Sequence, residues 1–490
     1  MPPITRVRNN NSLESQTGLS GDDDRQLHLS TTSATNGTSC LPVWPIDAGR
    51  LQAKGIASDP GQRDARLRFR FEARGLEPNA LIEDDCTACS SDRDLLSLPQ
   101  TAGFALSMFL VGSFFLALSP ILPDVARDLD ADTTRLGYPG GAYGLALGLT
   151  SVALAPFHDI VSRRIMLAVG MSLHLVGLIC VALSPTWAVL VLGHALCGCG
   201  GGIFMPAAYA AISDRTSEAT RARILGRVNS GWAASTLVGV PAAAFLGESV
   251  GWRGMMLVLA TTWLIIAALT ARLFTANDRP GGAVVAISAF WSRSIRSRIH
   301  AARLPWLFLS TVLTFIGFYG VYAYLGIAIR GDLGVQAGGA GIFVSIYGLG
   351  FLTGTLNGWI IDRVGPERSL SVATAALGMI LLSIPHTTHS MVLLGLTMYL
   401  WGVFQNAAFT SFTTAIGKVD TAIRGRAFSI NTACVFTGSS IGTATMGVVI
   451  ATMGFVTVGI ICMAATVAAS VIVTCKLAVA RQGIRLSHRE

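Results

Sequence analysis

Few side chains in this chain can carry a charge or a proton in an apolar setting, and those that can recur at a fixed distance. Asp159 lies in His158-Asp159-Ile160-Val161-Ser162-Arg163-Arg164 and Asp362 in Ile361-Asp362-Arg363-Val364-Gly365, 203 positions apart (362 minus 159). Each carboxylate closes a long apolar stretch beside arginine, so the chemistry open to it is ion pairing that can form and break. An ordinary interfacial charge pair is the plainer alternative. His194 stands in another apolar run, where an imidazole, titrating near pH ~6.5 in water, can carry a proton or stay neutral and bond a neighbouring helix. Helical spacing puts Phe315, Tyr319 and Tyr322 on one face of a later stretch. It puts Tyr399, Gly402, Asn406 and Phe409 on one face of another, with Gln405 adjacent. Such faces stack on and orient an amphipathic organic molecule, unless they merely pack or meet lipid. Asn406 is the firmest of them, because a buried amide needs a partner. These stretches hold no nucleophile with a base, no paired carboxylates and no metal cluster. The chain is therefore expected not to be an enzyme and to need no cofactor or metal.

The elements that hold these residues are apolar and long. Of 490 residues 51% are hydrophobic and only 13% charged, against roughly 25% in soluble domains, and the mean hydropathy is +0.56. Residues 1–100 hold 11 Lys+Arg and 14 Asp+Glu, which leaves 25 and 14 for the rest. The net charge of +8 thus comes from short loops between apolar spans and not from one basic surface, which argues against nucleic-acid binding. Twelve spans are expected, near 102–123, 135–156, 166–184, 187–211, 228–247, 254–274, 304–329, 338–361, 370–388, 391–416, 428–451 and 454–475. Each approaches the roughly 20 residues that a bilayer core requires.

Around the spans, residues 1–98 read as a disordered tail without a signal-peptide core. In that tail Cys86-Thr-Ala-Cys89 is a lone pair with weak metal or redox potential, and Asn10 and Asn36 are possible sequons. The next methionine after Met1 is Met108, so part of the tail could be upstream of the true start. Residues 275–303 read as a basic linker and 476–490 as a second tail. Only Arg127, Arg135, Arg253 and Arg330 of the 25 basic residues after position 100 fall in loops on one side. The positive-inside rule then puts both termini in the cytoplasm of a cell-membrane protein.

The 203-residue offset also carries Arg221 onto Arg424, Arg223 onto Arg426, Gly239 onto Gly442 and Gly251 onto Gly454. One half is written twice, as in many transporters. Small residues at every fourth position mark flat faces in span five (Gly231, Ser235, Gly239, Ala243, Gly247, with Pro241 among them), span two (Gly140, Gly144, Gly148), span eight (Gly350, Gly354, Gly358) and span eleven (Gly438, Gly442). These faces let helices approach closely, and packing between the halves is expected of them.

The loop Ala155-Pro-Phe-His-Asp159-Ile-Val-Ser-Arg163-Arg164 and its copy Gly358-Trp-Ile-Ile-Asp362-Arg363-Val-Gly365 resemble the G-x-x-x-D-[RK]-x-G-[RK]-[RK] motif of the major facilitator superfamily. The first copy keeps the Asp and the Arg pair but not the glycines. Span four, from His194 through Cys197, Gly198 and Gly200 to Gly202, resembles the family pattern R-x-x-q-G-x-g-a with His in place of Arg. Span five, Gly239-Val-Pro241 through Gly247, partly resembles the motif of the twelve-span drug:proton antiporters. The resemblance, over about 102–475, implies an all-α polytopic membrane protein with twelve transmembrane helices in two pseudo-symmetric six-helix bundles, 102–274 and 304–475. It implies a cytoplasmic latch at Asp159, Arg163, Arg164, Asp362 and Arg363. It also implies a central cavity at His194, Phe315, Tyr319, Tyr322, Tyr399, Gln405, Asn406 and Phe409. The expected function is alternating-access transport of small organic molecules by a monomer in the bilayer, with proton-coupled efflux first. An uncoupled facilitator or importer is the alternative, because no acid after residue 100 lies near a span centre. A transporter-like sensor or scaffold using the tail is a third.

Overall fold

The computed structural model describes residues 96–155, 157, 161–273, 293–302 and 304–487. Asp159, the expected tail with Cys86 and Cys89, and most of the expected linker lie outside the described residues. Among the described residues all regular structure is helical. Eight of the described helices are long and apolar enough to cross a bilayer, and two of them, Arg223–Arg272 and Ile423–Lys476, are 50 and 54 residues long. Straight, these would measure about 75 and 80 Å at 1.5 Å per residue, more than twice a hydrocarbon core of about 30 Å. Each instead turns back at a glycine of positive φ, Gly251 (φ 75, ψ 158) and Gly454 (φ 77, ψ 173). That backbone region is open in practice only to glycine, so each long helix makes two crossings.

In chain order, span one is Leu98–Asp128, two Tyr138–Ala153, three Arg163–Ala182 and four Trp187–Ser213. Glu218–Ala234, a π-helical turn at Ser235–Gly239 and Val240–Leu273 carry spans five and six. Span seven is Leu304–Leu333, and Ala337–Thr353 with Gly358–Val364 forms the broken span eight. Pro366–Thr387 and Met391–Gly417 are nine and ten, and Thr421–Ser487 holds eleven and twelve. Local sequence sets several starts: Ser97, Ser162, Thr186 and Ser390 accept a bond from the backbone N–H three residues on, which satisfies a donor the helix leaves free. The π turn lies just before Pro241, whose missing N–H deprives Leu237 of its helical partner. Within the expected linker a short helix, Arg293–Ala301, buries Ile299 against Leu304, Phe308, Ile416 and Ile423, and Arg298 pairs with Asp420 at 2.9 Å.

The repeat reaches side-chain contacts. Arg221 donates to the Thr216 carbonyl (3.4 Å) and Arg424 to that of Val419 (3.1 Å), the same loop closure at positions 203 apart. Gly239 abuts Ser113 of span one and Gly442 abuts Ile316 of span seven, again equivalent positions.

These contacts correct part of the expectation for the small-residue faces. Span two does join the halves: Gly144 meets the Phe436 carbonyl and Gly148 that of Ala433, both in span eleven. Span five does not use its stripe that way, because Gly231, Ser235 and Gly239 face Ala105, Gly112 and Ser113 of span one, and Gly247 faces Ile121. Gly350 and Gly354 pack on Tyr399 and Asn406 of span ten, and Gly438 and Gly442 pack on span seven. The second seam between halves joins spans five and eight, where Pro241 and Ala244 meet Gly341 and Leu237 meets Gly348. Spacing marks a flat face, but a bundled helix has several close neighbours, and the spacing does not say which of them the face meets.

Candidate functional site

Four rings from four spans meet where the halves touch. Phe115 of span one stacks on Tyr143 of span two with centroids 4.5 Å apart, and lies 5.3 Å from Tyr319 of span seven and 6.2 Å from Phe436 of span eleven. Stacked and tilted geometries suit the ring quadrupoles. From Tyr319 the aromatic line continues to Phe315 (6.0 Å) and Phe318 (4.7 Å). Phe318 reaches Tyr322 at 5.7 Å and Trp401 of span ten at 5.0 Å. Phe315, Tyr319 and Tyr322 therefore lie in one cluster, and all three are buried. Beside it a cavity of about 20 Å³ is lined by Phe115, Ser119, Gly137, Tyr319, Tyr322 and Thr443, among others. That volume suits about one water, so an organic molecule fits here only after the halves separate.

Span ten contributes differently from its helical wheel. Gln405 and Asn406 are buried; the Gln405 Oε1 has no partner among the described residues, whereas Asn406 Oδ1 accepts from Thr410 at 3.3 Å. Tyr399 turns to span eight, where Thr353 donates to its hydroxyl at 3.0 Å. Phe409 is 42% exposed and sits 6.5 Å from Phe351, at the far end of the aromatic line that passes through Tyr347 to Trp401. Phe115, Tyr143 and Phe436 escaped the sequence reading, because a wheel drawn for one span cannot say which wheels face each other.

His194 is buried with Nδ1 2.9 Å from the Leu190 carbonyl of its own helix, stacked on Phe114 at 5.1 Å. A second imidazole, His174 of span three, meets Phe114 edge-on at 5.6 Å and places Nδ1 3.0 Å from the Cys197 carbonyl. With Nδ1 as donor in each ring, both Nε2 atoms are left as acceptors, and neither has a partner among the described residues. His174 was legible in principle, as the other histidine inside an N-terminal span.

The seam is closed towards the end of the bundle that holds few arginines. Pro120 has no N–H, so the Leu116 carbonyl lacks its helical donor, and the Tyr322 hydroxyl donates to it across the halves at 2.9 Å. One turn on, Ser119 Oγ donates to the Tyr322 carbonyl (2.6 Å) and accepts from the Gly326 N–H (3.2 Å). Ser119 and Tyr322 are themselves 203 apart, which puts this contact on the pseudo-symmetry axis. At the tip, Arg330 grips Asp124 with both nitrogens, at 2.6 and 2.9 Å, and donates to the Pro120 carbonyl. Glu248 of span five accepts from the Gly338 N–H at 2.9 Å, at the start of span eight. Arg253 pairs with Asp128, which also accepts from the Trp252 indole. Two of the four arginines at this end, Arg253 and Arg330, are thus paired with acids.

At the arginine-rich end Arg163 is buried and pairs with Asp214 of its own half at 2.9 Å. Arg164, Asp362 and Arg363 are exposed, and Arg363 lies over the Trp359 ring at 5.2 Å. The cross-half contacts named above, with a further one from Ser440 to the Gly141 carbonyl, sit towards the arginine-poor end.

The Major Facilitator Superfamily model matches residues 104–443. The chain belongs to that superfamily. It is therefore a transporter-family membrane protein and not an enzyme. The MFS-type transporter YwfA of Bacillus subtilis (strain 168), itself described as uncharacterized, is 30% identical over 76% of this chain and 90% of its own length. Multidrug resistance protein MdtG of Proteus mirabilis (strain HI4320) is 28% identical over 71% of this chain and 88% of its own. Among solved structures, a POT family transporter in complex with 5-aminolevulinic acid superposes with a TM-score of 0.63 at 14% identity, covering 78% of this chain and 98% of that one. At such identity the likeness speaks for the fold alone, two six-helix bundles about a central path.

Proposed function

We propose that this superfamily member exports a small amphipathic organic molecule through the seam between its halves, in exchange for protons. The observation that carries the reading is the ring junction of Phe115, Tyr143, Tyr319 and Phe436, built from both halves and pinched shut in this conformer. Rocking of the halves opens that junction alternately to each side, and its rings then stack on the cargo. The arginine-rich end faces the cytoplasm, as the positive-inside rule directs, so both termini are cytoplasmic and the closed end is extracellular. In an exporter a site sealed from outside is the one that loads from within, and the relative MdtG carries the name multidrug resistance protein. Asp159, Arg163, Arg164, Asp362 and Arg363 then form the cytoplasmic gate. His194 or Asp159 is the group for the proton, with His194 the one inside a span, since every acid in the spans lies near an end. That same distribution of acids favours a second reading, an uncoupled facilitator that lets a metabolite follow its gradient.

The test compares small molecules inside cells and in the medium, with the gene deleted and with it overexpressed, with and without a protonophore. A compound retained by the deletion strain, expelled on overexpression and retained again with protonophore is the expected result. Expulsion insensitive to protonophore selects the facilitator, and a compound left unused in the medium by the deletion strain reverses the direction.

A further inference from the structure

Arg127 and Arg330 occupy equivalent positions in the two halves, 203 apart, while Asp124 is matched by Ile327. Two symmetry-related guanidinium groups therefore share one carboxylate. Arg330, with a side chain only 12% exposed, holds Asp124 across the seam. Arg127, 78% exposed and one turn along the same helix as Asp124, waits at 3.7 Å. We propose that Asp124 is exchanged between these two arginines as the outer end opens and closes, bound to Arg330 in the closed state and to Arg127 in the open one.

The physical reason lies in the cost of the open state. Asp124 is two-thirds buried, and separating it from Arg330 without a substitute leaves a poorly solvated carboxylate unpaired. A partner already within reach in the same half removes most of that cost. It also makes the ionic contact a switch rather than a weld. The Arg330 fork fits the carboxylate bidentately and favours closure, whereas the longer, solvent-screened Arg127 contact is weaker and becomes dominant only when the halves part. The idea rests on the transport reading above, since a chain that did not rock would have no use for two partners.

The exchange makes opposite predictions for two substitutions that each remove one positive charge near the same acid. The reporter is Ala323→Cys, which lines the cavity beneath the lock, labelled with a membrane-impermeant maleimide in the otherwise unaltered full-length chain; that chain without the substitution is the blank for its own cysteines. Arg330→Gln should raise labelling from outside about tenfold, the loss of a charge-assisted pair of partly buried groups. Arg127→Gln should lower it about two- to threefold, as befits an exposed pair. Arg330→Lys, which keeps the charge but not the fork, should fall between wild type and Arg330→Gln, and it stands in for the latter if that variant fails to fold. A rise in labelling with Arg127→Gln, or no effect of that variant while Arg330→Gln acts, overturns the exchange. Labelling is run on intact cells and on inside-out vesicles. The same contrast of signs seen only in vesicles upholds the exchange while overturning the membrane orientation.

Discussion

Gly144 offers the sharpest test of whether spans two and eleven form a moving seam. A Cβ placed there lies 2.8 Å from the Phe436 carbonyl oxygen, 3.3 Å from the Ser440 nitrogen and 3.5 Å from Ser439. Four residues along the same face, a Cβ at Gly148 lies 3.5 Å from the Ala433 carbonyl, which is ordinary contact. Alanine at 144 must therefore push the helices apart by about half an ångström or more, and overpacking of this kind costs about 1–3 kcal/mol. The clash is between halves, so the cost falls on the closed state alone. At about 1.4 kcal/mol per decade, the ratio of closed to open molecules falls about 5- to 150-fold. Maleimide labelling of Ala323→Cys from the outside reads that ratio, and thermal unfolding in detergent checks that each half remains folded. Gly144→Ala should raise labelling while Gly148→Ala leaves it near wild type. Equal labelling of the two variants would refute the reasoning, since they differ only in the distance to the facing carbonyl.

Three further outcomes follow from other parts of the structure. His194→Gln should flatten the pH dependence of transport, measured in proteoliposomes at a fixed substrate gradient; an unchanged profile removes His194 from coupling. Glu248→Ala withdraws the acceptor at the start of span eight, a cap of about 1 kcal/mol, and should increase outside labelling about fivefold, with no increase counting against a cross-half role. Gly251→Ala and Gly454→Ala each force a side chain into a backbone region open in practice only to glycine and should destabilise by about 1–3 kcal/mol. Thermal unfolding of both variants at the wild-type temperature would contradict the two turns.

The resemblance in loop and span motifs reached the superfamily whose model matches residues 104–443. The site was less legible. Phe315, Tyr319 and Tyr322 come together as helical spacing indicates, since that spacing is a property of one helix. Tyr399 has the same kind of spacing but turns to Thr353, because which wheel faces which depends on helix rotation in the bundle. The stripe Gly231, Ser235 and Gly239 likewise fits span one, when its spacing alone allowed the other half equally well.

By itself the sequence determined that the chain is a series of apolar spans, the repeat at 203 and the asymmetry of arginines, for each is set by local physics: bilayer thickness, chain duplication and the cost of moving a cation across. Only the tertiary structure decided that Asp124 has two arginines, that Pro120 hands a carbonyl to Tyr322, and that the ring junction includes Phe115, Tyr143 and Phe436. Those contacts join residues up to 321 positions apart (436 minus 115), as with Phe436 and Phe115. Their partners are selected by how two bundles dock, and no window of sequence contains that information.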